Sequence, residues 1–418
     1  MKKSLTNILK NKKNLKNLIA GIALSFSLTN SGFSQNRSIN FEKESFENIK
    51  KEAKKSNKII FVDCYTTWCG PCKWMDKNVF TNDSVADFYN KNFINAKFNM
   101  ESDSGKIVWS SYTINSYPTF LYINGEGELI HRASGASNPE NFINLGEDAL
   151  NPETQLATFN EKYEKGNRDG GFIYEYLKKL DKTDIDYKDI FKDYFKTQKE
   201  EDLTSRINWN ILFVNERNTD INSETFNYLI KNKIKFDEIY TPDSVDEKIF
   251  NAYFSDFNNF LRKKSFNDSI YDIWKNKIKE QNFSKVEEVL LEADLQYNKK
   301  IKNWEAYSSN ASLLVETSKR YNNERKLNTL AWTFFQNVKE KNHLEKALSW
   351  AEKSVKMADK AYNNDTYACL LYVLGDTAKA IQIEERVVKL AKETNHSQEI
   401  IEKISKRLEK MKNGEKLD

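Results

Sequence analysis

Cysteine, histidine, proline and glycine are all scarce in this chain of 418 residues, at 4, 3, 5 and 13 copies. The first scarcity excludes a four-ligand zinc site. One close cysteine pair exists, at Cys69 and Cys72, and Cys64, Cys369, His131, His343 and His396 are too scattered to supply a second half-site. An excess of one charge is missing too. Lys and Arg total 65 against 61 Asp and Glu, and six of those lysines lie in the first 34 residues, which carry no acid. The remainder is close to neutral, so the basic face that displaces counterions from a phosphate backbone is absent and no nucleic-acid partner is expected. Residues 18–28 form an apolar run only about half as long as the roughly 20 residues that span a bilayer as a helix.

That run nevertheless has a setting. Lysines precede it, a polar stretch follows, and Gly32 and Ser34 are small residues placed before a cut. This is the layout of a secretory signal over residues 1–34, so we expect a protein exported to the periplasm and soluble after cleavage. A chain of this length exceeds one ordinary core and should divide into two or three domains.

Where proline and glycine do occur locates the boundary. Three of the five prolines and six of the 13 glycines fall between residues 58 and 150, where strand and helix signals alternate: "KIIFVDCY" as a buried strand, "CKWMDKNVF" and "DSVADFYNKN" as helices, "FINAKFNM" as a strand, "GKIVWSSYTI" as a helix, then "PTFLYIN" and "ELIHRAS" as strands around the turn "NGEG". After Pro152 only Pro242 remains, and no glycine occurs between Gly171 and Gly375. Such a stretch reads as an α-helical array whose amphipathic members must stack on one another. Within it we expect capping boxes at Ser244/Glu247 and Ser284/Glu287, and an apolar face of Phe250, Tyr253, Phe254, Phe257 and Leu261. We therefore expect an α/β domain at residues 38–150, a helical region at 153–318 and helical repeats at 319–418.

The cysteine pair, within "TWCGPCK", carries the chemistry. A bridge over two intervening residues removes little unfolded-state entropy, so it would be a weak staple. Redox use fits better. At a strand-to-helix junction Cys69 sits at the helix start, where free amides and the dipole favour the thiolate, and Cys72, one turn on, can attack a mixed disulfide formed on Cys69.

The surrounding stretch, "FVDCYTTWCGPCK", resembles the active-site strand and helix of the thioredoxin family, and the likeness continues through "AKFNM", "INSYPTF" and "RASGAS" over roughly residues 40–150. The resemblance implies a thioredoxin-like α/β fold with Asp63 as the buried acid that exchanges a proton with Cys72 and Lys97 as its neighbour. It implies Pro118 as the cis-proline, with Tyr117 before it and Gly135 on the groove rim, so that Trp68, Tyr117, Pro118 and Gly135 face substrate while Gly70 and Pro71 shape the motif. The near-terminal stretches around Ala347 and Ala380, 33 residues apart, resemble tetratricopeptide repeats, although Glu384 and Asn364 depart from that pattern.

Cys64 stands where thioredoxins usually carry an aromatic residue, and we read it and Cys369 as small buried hydrophobes. The stretch "VFTNDSVADFYNKNF" is similar to that of envelope reductases fed by a membrane partner. His131 should be a half-exposed strand residue, and Trp74, Trp109, Trp332 and Trp350 should fill core. The expectation is an exported thiol–disulfide oxidoreductase acting as a reductant of protein disulfides, needing no cofactor and no metal, with a membrane-embedded electron donor and a protein partner at the helical repeats. The alternative is a helical scaffold whose thioredoxin-like domain serves as a binding module.

Overall fold

A computed structural model describes residues 37–214, 219–263, 265–394 and 397–417, so the expected export signal lies outside the described residues. The chain divides into two compact units, with the boundary between Thr197 and Gln198.

The first unit is built on a four-stranded sheet of order β2-β1-β3-β4, with β1 Ile59–Tyr65, β2 Phe93–Asn99, β3 Thr119–Ile123 and β4 Leu129–Ser134. The five inner residues of β1 are all buried, which is why the segment reads as a continuous apolar run and occupies the middle of the sheet. It pairs parallel with β2, setting Asp63 opposite Lys97, and antiparallel with β3. Successive side chains of a strand point to opposite faces. Ile60, Val62 and Cys64 therefore pack with α1 (Phe46–Ser56) and the later helix α4 (Asp103–Tyr112), through Phe46, Ile49, Ala53 and Val108. Phe61 points the other way, into an aromatic layer with Tyr89, Phe93, Phe120, Tyr122 and Phe142 beneath α2 (Gly70–Asn78), α3 (Asp83–Asn92) and α5 (Pro139–Leu150). Asp63 shares the parity of Phe61. Cys64 and Cys369 are both free and buried.

The unit continues past residue 150. Helices α6 (Leu156–Glu164), α7 (Gly170–Asp181) and α8 (Lys188–Lys196) follow, and this extension binds β4 directly. The Leu156 amide donates to His131 Nδ1 at 3.0 Å, and the Ser134 amide donates to the Lys182 carbonyl at 2.8 Å. His131 is consequently buried, not half-exposed, because the start of α6 covers it.

The second unit is helical throughout its described residues: α9 Arg206–Leu212, α10 Glu224–Lys231, α11 Lys233–Tyr240, α12 Pro242–Leu261, α13 Asp268–Lys279, α14 Val286–Ile301, α15 Trp304–Thr317, α16 Glu324–Asn337, α17 Lys341–Met357, α18 Ala361–Val373, α19 Thr377–Glu393 and α20 Gln398–Lys412. Phe250, Tyr253 and Phe257 are buried along α12 as their spacing requires. The two expected capping boxes do not form. Pro242, its φ preset for a first turn, starts α12 two residues before Ser244, and Ser284 uses its amide and hydroxyl to bind Asp246 instead of capping α14. A tertiary partner with a full charge outcompetes a local cap. Ala347 and Ala380 have no exposed surface where neighbouring helices cross, and Gly375 takes φ 99° in the turn between α18 and α19. Among the described residues no helix is long and apolar enough to cross a membrane.

Candidate redox site

The site grows from the end of β1. The turn that follows runs from Thr66 to Cys69, and Cys69 becomes the N-cap of α2: its Sγ accepts a hydrogen bond from the Cys72 amide at 3.1 Å. Pro71 in the first turn has no amide to leave unsatisfied. A Cβ on Gly70 would meet nothing, so that glycine is not enforced by space. Cys69 and Cys72 are joined as a disulfide, and both are almost fully buried at 3 % and 2 % exposure.

The side chains around the pair form two groups. One faces outward. Trp68, 65 % exposed, donates its Nε1–H to Glu101 Oε1 at 2.9 Å and stands edge-on to Tyr117 at 5.9 Å between ring centroids. Tyr117 precedes Pro118 through a cis peptide bond, and the Pro118 carbonyl accepts from the Gly135 amide at 2.9 Å. Gly135 holds φ 87°, a left-handed conformation that a side chain would strain. Trp68, Tyr117 and Gly135, from three separate stretches of the sequence, are thus linked, the last two through the buried Pro118.

The other group is internal. Asp63 Oδ2 lies 3.1 Å from Lys97 Nζ, and among the described residues neither Asp63 oxygen has a further hydrogen-bond partner. Burial penalises its charge more than Lys97 relieves it, so its carboxyl is pushed up to about 6, with the Asp76 carboxylate adding to the rise. Burial opposes the Lys97 charge as well, but Asp63 and Asp76 outweigh that and raise its value. Lys97 bridges the two acids by also binding Asp76 Oδ1, and its ammonium sits 4.5 Å from the centre of the Tyr65 ring. Asp76 is nearly half exposed, so the chain Asp63–Lys97–Asp76 leads from the buried acid to solvent.

Three participants escaped the sequence reading. Asp76 follows Cys72 by four residues, a spacing that places both on one side of α2 and would have marked it. Glu101 and Asp184 carry no local signal, because only the folded chain brings them to Trp68 and to the segment before Pro118. Trp74 and Trp109 do not fill core. They stand 45 % and 49 % exposed, the latter donating to the Ile114 carbonyl, whereas Trp350 is buried. The Cys64 thiol, on the face of β1 that packs against α1 and α4, is pushed well above the usual thiol range by burial, which disfavours its thiolate.

This arrangement has known counterparts. Residues 46–150 match the family model of the thioredoxin-like domain. A thioredoxin of Chlorobaculum thiosulfatiphilum is 33 % identical over 97 residues, 23 % of this chain and 83 % of its own length. An H-type thioredoxin of Brassica campestris is 30 % identical over 97 residues, covering 23 % of this chain and 73 % of its own. The solution structure of a candidate disulphide-isomerase from Bacteroides thetaiotaomicron is 38 % identical, with 28 % of this chain and 97 % of that one covered and a TM-score of 0.26. A disulfide-bonded cysteine pair at a helix start, carried on a sheet of this order and on a stretch this similar to thioredoxins, means that the chain belongs to the thioredoxin family through residues 46–150.

Proposed function

We propose that this thiol–disulfide oxidoreductase is exported and works as a reductant of protein disulfides. The observation that carries the reading is the placement of Cys69 as N-cap of α2, with its sulfur on the Cys72 amide and the helix dipole behind it. Both favour the thiolate. In the dithiol form the Cys69 thiolate attacks a substrate disulfide, forms a mixed disulfide and expels one substrate thiolate. Asp63 takes the proton of the Cys72 thiol. The Cys72 thiolate then attacks Cys69 Sγ, breaking the mixed disulfide and expelling the second substrate thiolate. Two electrons pass to the substrate, and the enzyme is left as the Cys69–Cys72 disulfide.

The direction follows from what surrounds the nucleophile. Gly70 and Pro71 contribute neither charge nor a side-chain donor, so the reduced form is only moderately stabilised and the pair should be reducing, nearer thioredoxin's roughly −270 mV than DsbA's roughly −120 mV. The basic start and short apolar run of residues 1–34 support export, and an exported reductant requires a dithiol donor that crosses or faces the membrane. The paired helices α16–α17 and α18–α19, with Ala347 and Ala380 at their crossings, support a tetratricopeptide-like surface for a protein partner. Insulin reduction in the presence of dithiothreitol tests the assignment. Turnover well above the dithiothreitol background is expected, and background turnover would favour the helical-scaffold reading.

A further inference from the structure

The segment between α7 and α8 reaches back to the stretch that leads into Tyr117 and Pro118. Asp184 Oδ2 accepts from the Asn115 amide at 2.6 Å, and the Asp184 carbonyl accepts from Asn115 Nδ2 at 3.3 Å. Its other carboxylate oxygen binds Arg132 on β4, and both side chains are 4 % exposed. Arg132 also donates to the carbonyls of Tyr112 and Thr113, which end α4, each at 3.1 Å. Two residues earlier, the Lys182 carbonyl holds the amide of Ser134, and the next amide, of Gly135, holds the Pro118 carbonyl. Residues 182–184 are therefore bonded to both strips that border the cis-proline: residues 115–118 on one side and 134–135 on the other.

Such a clasp is expensive to make by accident. A buried Arg–carboxylate pair is costly to desolvate and does little for stability as a pair. What it does here is tie residue 115 to Arg132 through charge-assisted bonds, just beyond the point where the β3–β4 pairing ends at Thr119 and Ser134. We propose that residues 182–184 are part of the protein-substrate groove, with Asp184 as a positioning residue that fixes residues 115–118 against 134–135. An extended polypeptide disulfide docking on Tyr117 and Pro118 meets a preset edge rather than a mobile loop, and preorganisation of this kind acts on binding. The electron-transfer steps stay with Cys69 and Cys72. This inference rests on the oxidoreductase reading above.

Steady-state insulin reduction by the full chain, with Asp184→Ala and Asp184→Asn, tests it. Asp184→Asn keeps one acceptor oxygen and guards against a variant that does not fold. The expected result is a KM for insulin raised about tenfold by Asp184→Ala and less by Asp184→Asn, with kcat changed less than about twofold in both. A KM unchanged in a folded variant, or kcat falling in step with thermal stability while KM holds, overturns the proposal. If Asp184→Ala does not fold, the Asp184→Asn result decides by the same criteria. A wild-type chain that fails to reduce insulin at all sinks the oxidoreductase reading itself, which is a different outcome.

Discussion

Each unit of the chain hides from water a carboxyl group whose charge is poorly compensated, and the two groups have opposite fates. Asp63 in the first unit has Lys97 at 3.1 Å, and through it a half-exposed second acid, Asp76. Its carboxyl is pushed up by burial to about 6, close enough to neutrality to gain and lose a proton under ordinary conditions. Glu384 on α19 has no exposed surface, and its nearby cation, Arg407, is already paired with Asp365. Burial and the Asp365 carboxylate together drive Glu384 far above the carboxylate range, which favours its neutral form. The same desolvation thus leaves a carboxyl that titrates near neutrality where a shared lysine and a route to solvent exist, and one raised much further where they do not. A perturbed carboxyl becomes a candidate for chemistry only through its neighbours.

The sharpest way to break this contrast is at the cysteines. Cys72→Ser should accumulate mixed disulfides with client proteins on Cys69, whereas Cys69→Ser should trap none, an all-or-none difference visible on non-reducing gels. Equal trapping by both would reverse the assigned order of attack.

Next in size is the pH response of the helical unit. A carboxyl that is neutral when folded but ionised when unfolded destabilises the fold increasingly as pH rises above its unfolded value near 4.5. Glu384→Gln removes that drift, so amide exchange in α19 should slow relative to wild type at pH 8 and much less at pH 5. A gain that is equal at both pH values would mean Glu384 ionises in the folded chain.

Asp63 follows the same sign over a narrower window. Its folded value is raised, so stability is complete below about 4, declines between 4 and 6, and stays reduced above 6. A rise of that size corresponds to roughly 3 kcal/mol. Asp63→Asn should therefore raise thermal stability at pH 8 and not at pH 4, while slowing release of substrate from the mixed disulfide at neutral pH. Stability gained without any slowing would remove Asp63 from the chemistry and leave it a strained structural residue.

The smallest effect belongs to Asp76. Removing it by Asp76→Ala leaves Lys97 to Asp63 alone and deletes a negative charge that lifts Asp63. The pH midpoint of the resolving step should move down, by less than about one pH unit. A midpoint that stays in place would show that Asp76 serves only the surface.

Local chemistry was readable in the chain as written. The apolar run ending in Asp63, the helix-start spacing of Cys69 and Cys72, and the lack of glycine between residues 171 and 375, with Pro242 as the one proline there, are consequences of short-range rules about strands, caps and breakers, and they sufficed to separate an α/β part from a helical part and to mark the cysteine pair. Even there, local rules failed where a distant charge competed: Ser284 left its expected cap for Asp246, and His131 was buried by a helix that begins 25 residues later. The contacts around the segment before Pro118 were never legible. Asn115 and Asp184 are 69 residues apart, and Trp68 and Glu101 are 33 apart. Nothing in the identity of an aspartate or a glutamate announces such a partner, because these bonds exist only once the sheet has set which loops come together. Short-range patterns located the cysteine pair at a helix start; what holds that helix start and the segment before Pro118 in place arose only on folding, since hydrogen bonds and ion pairs act over a few ångströms of space and not along the chain.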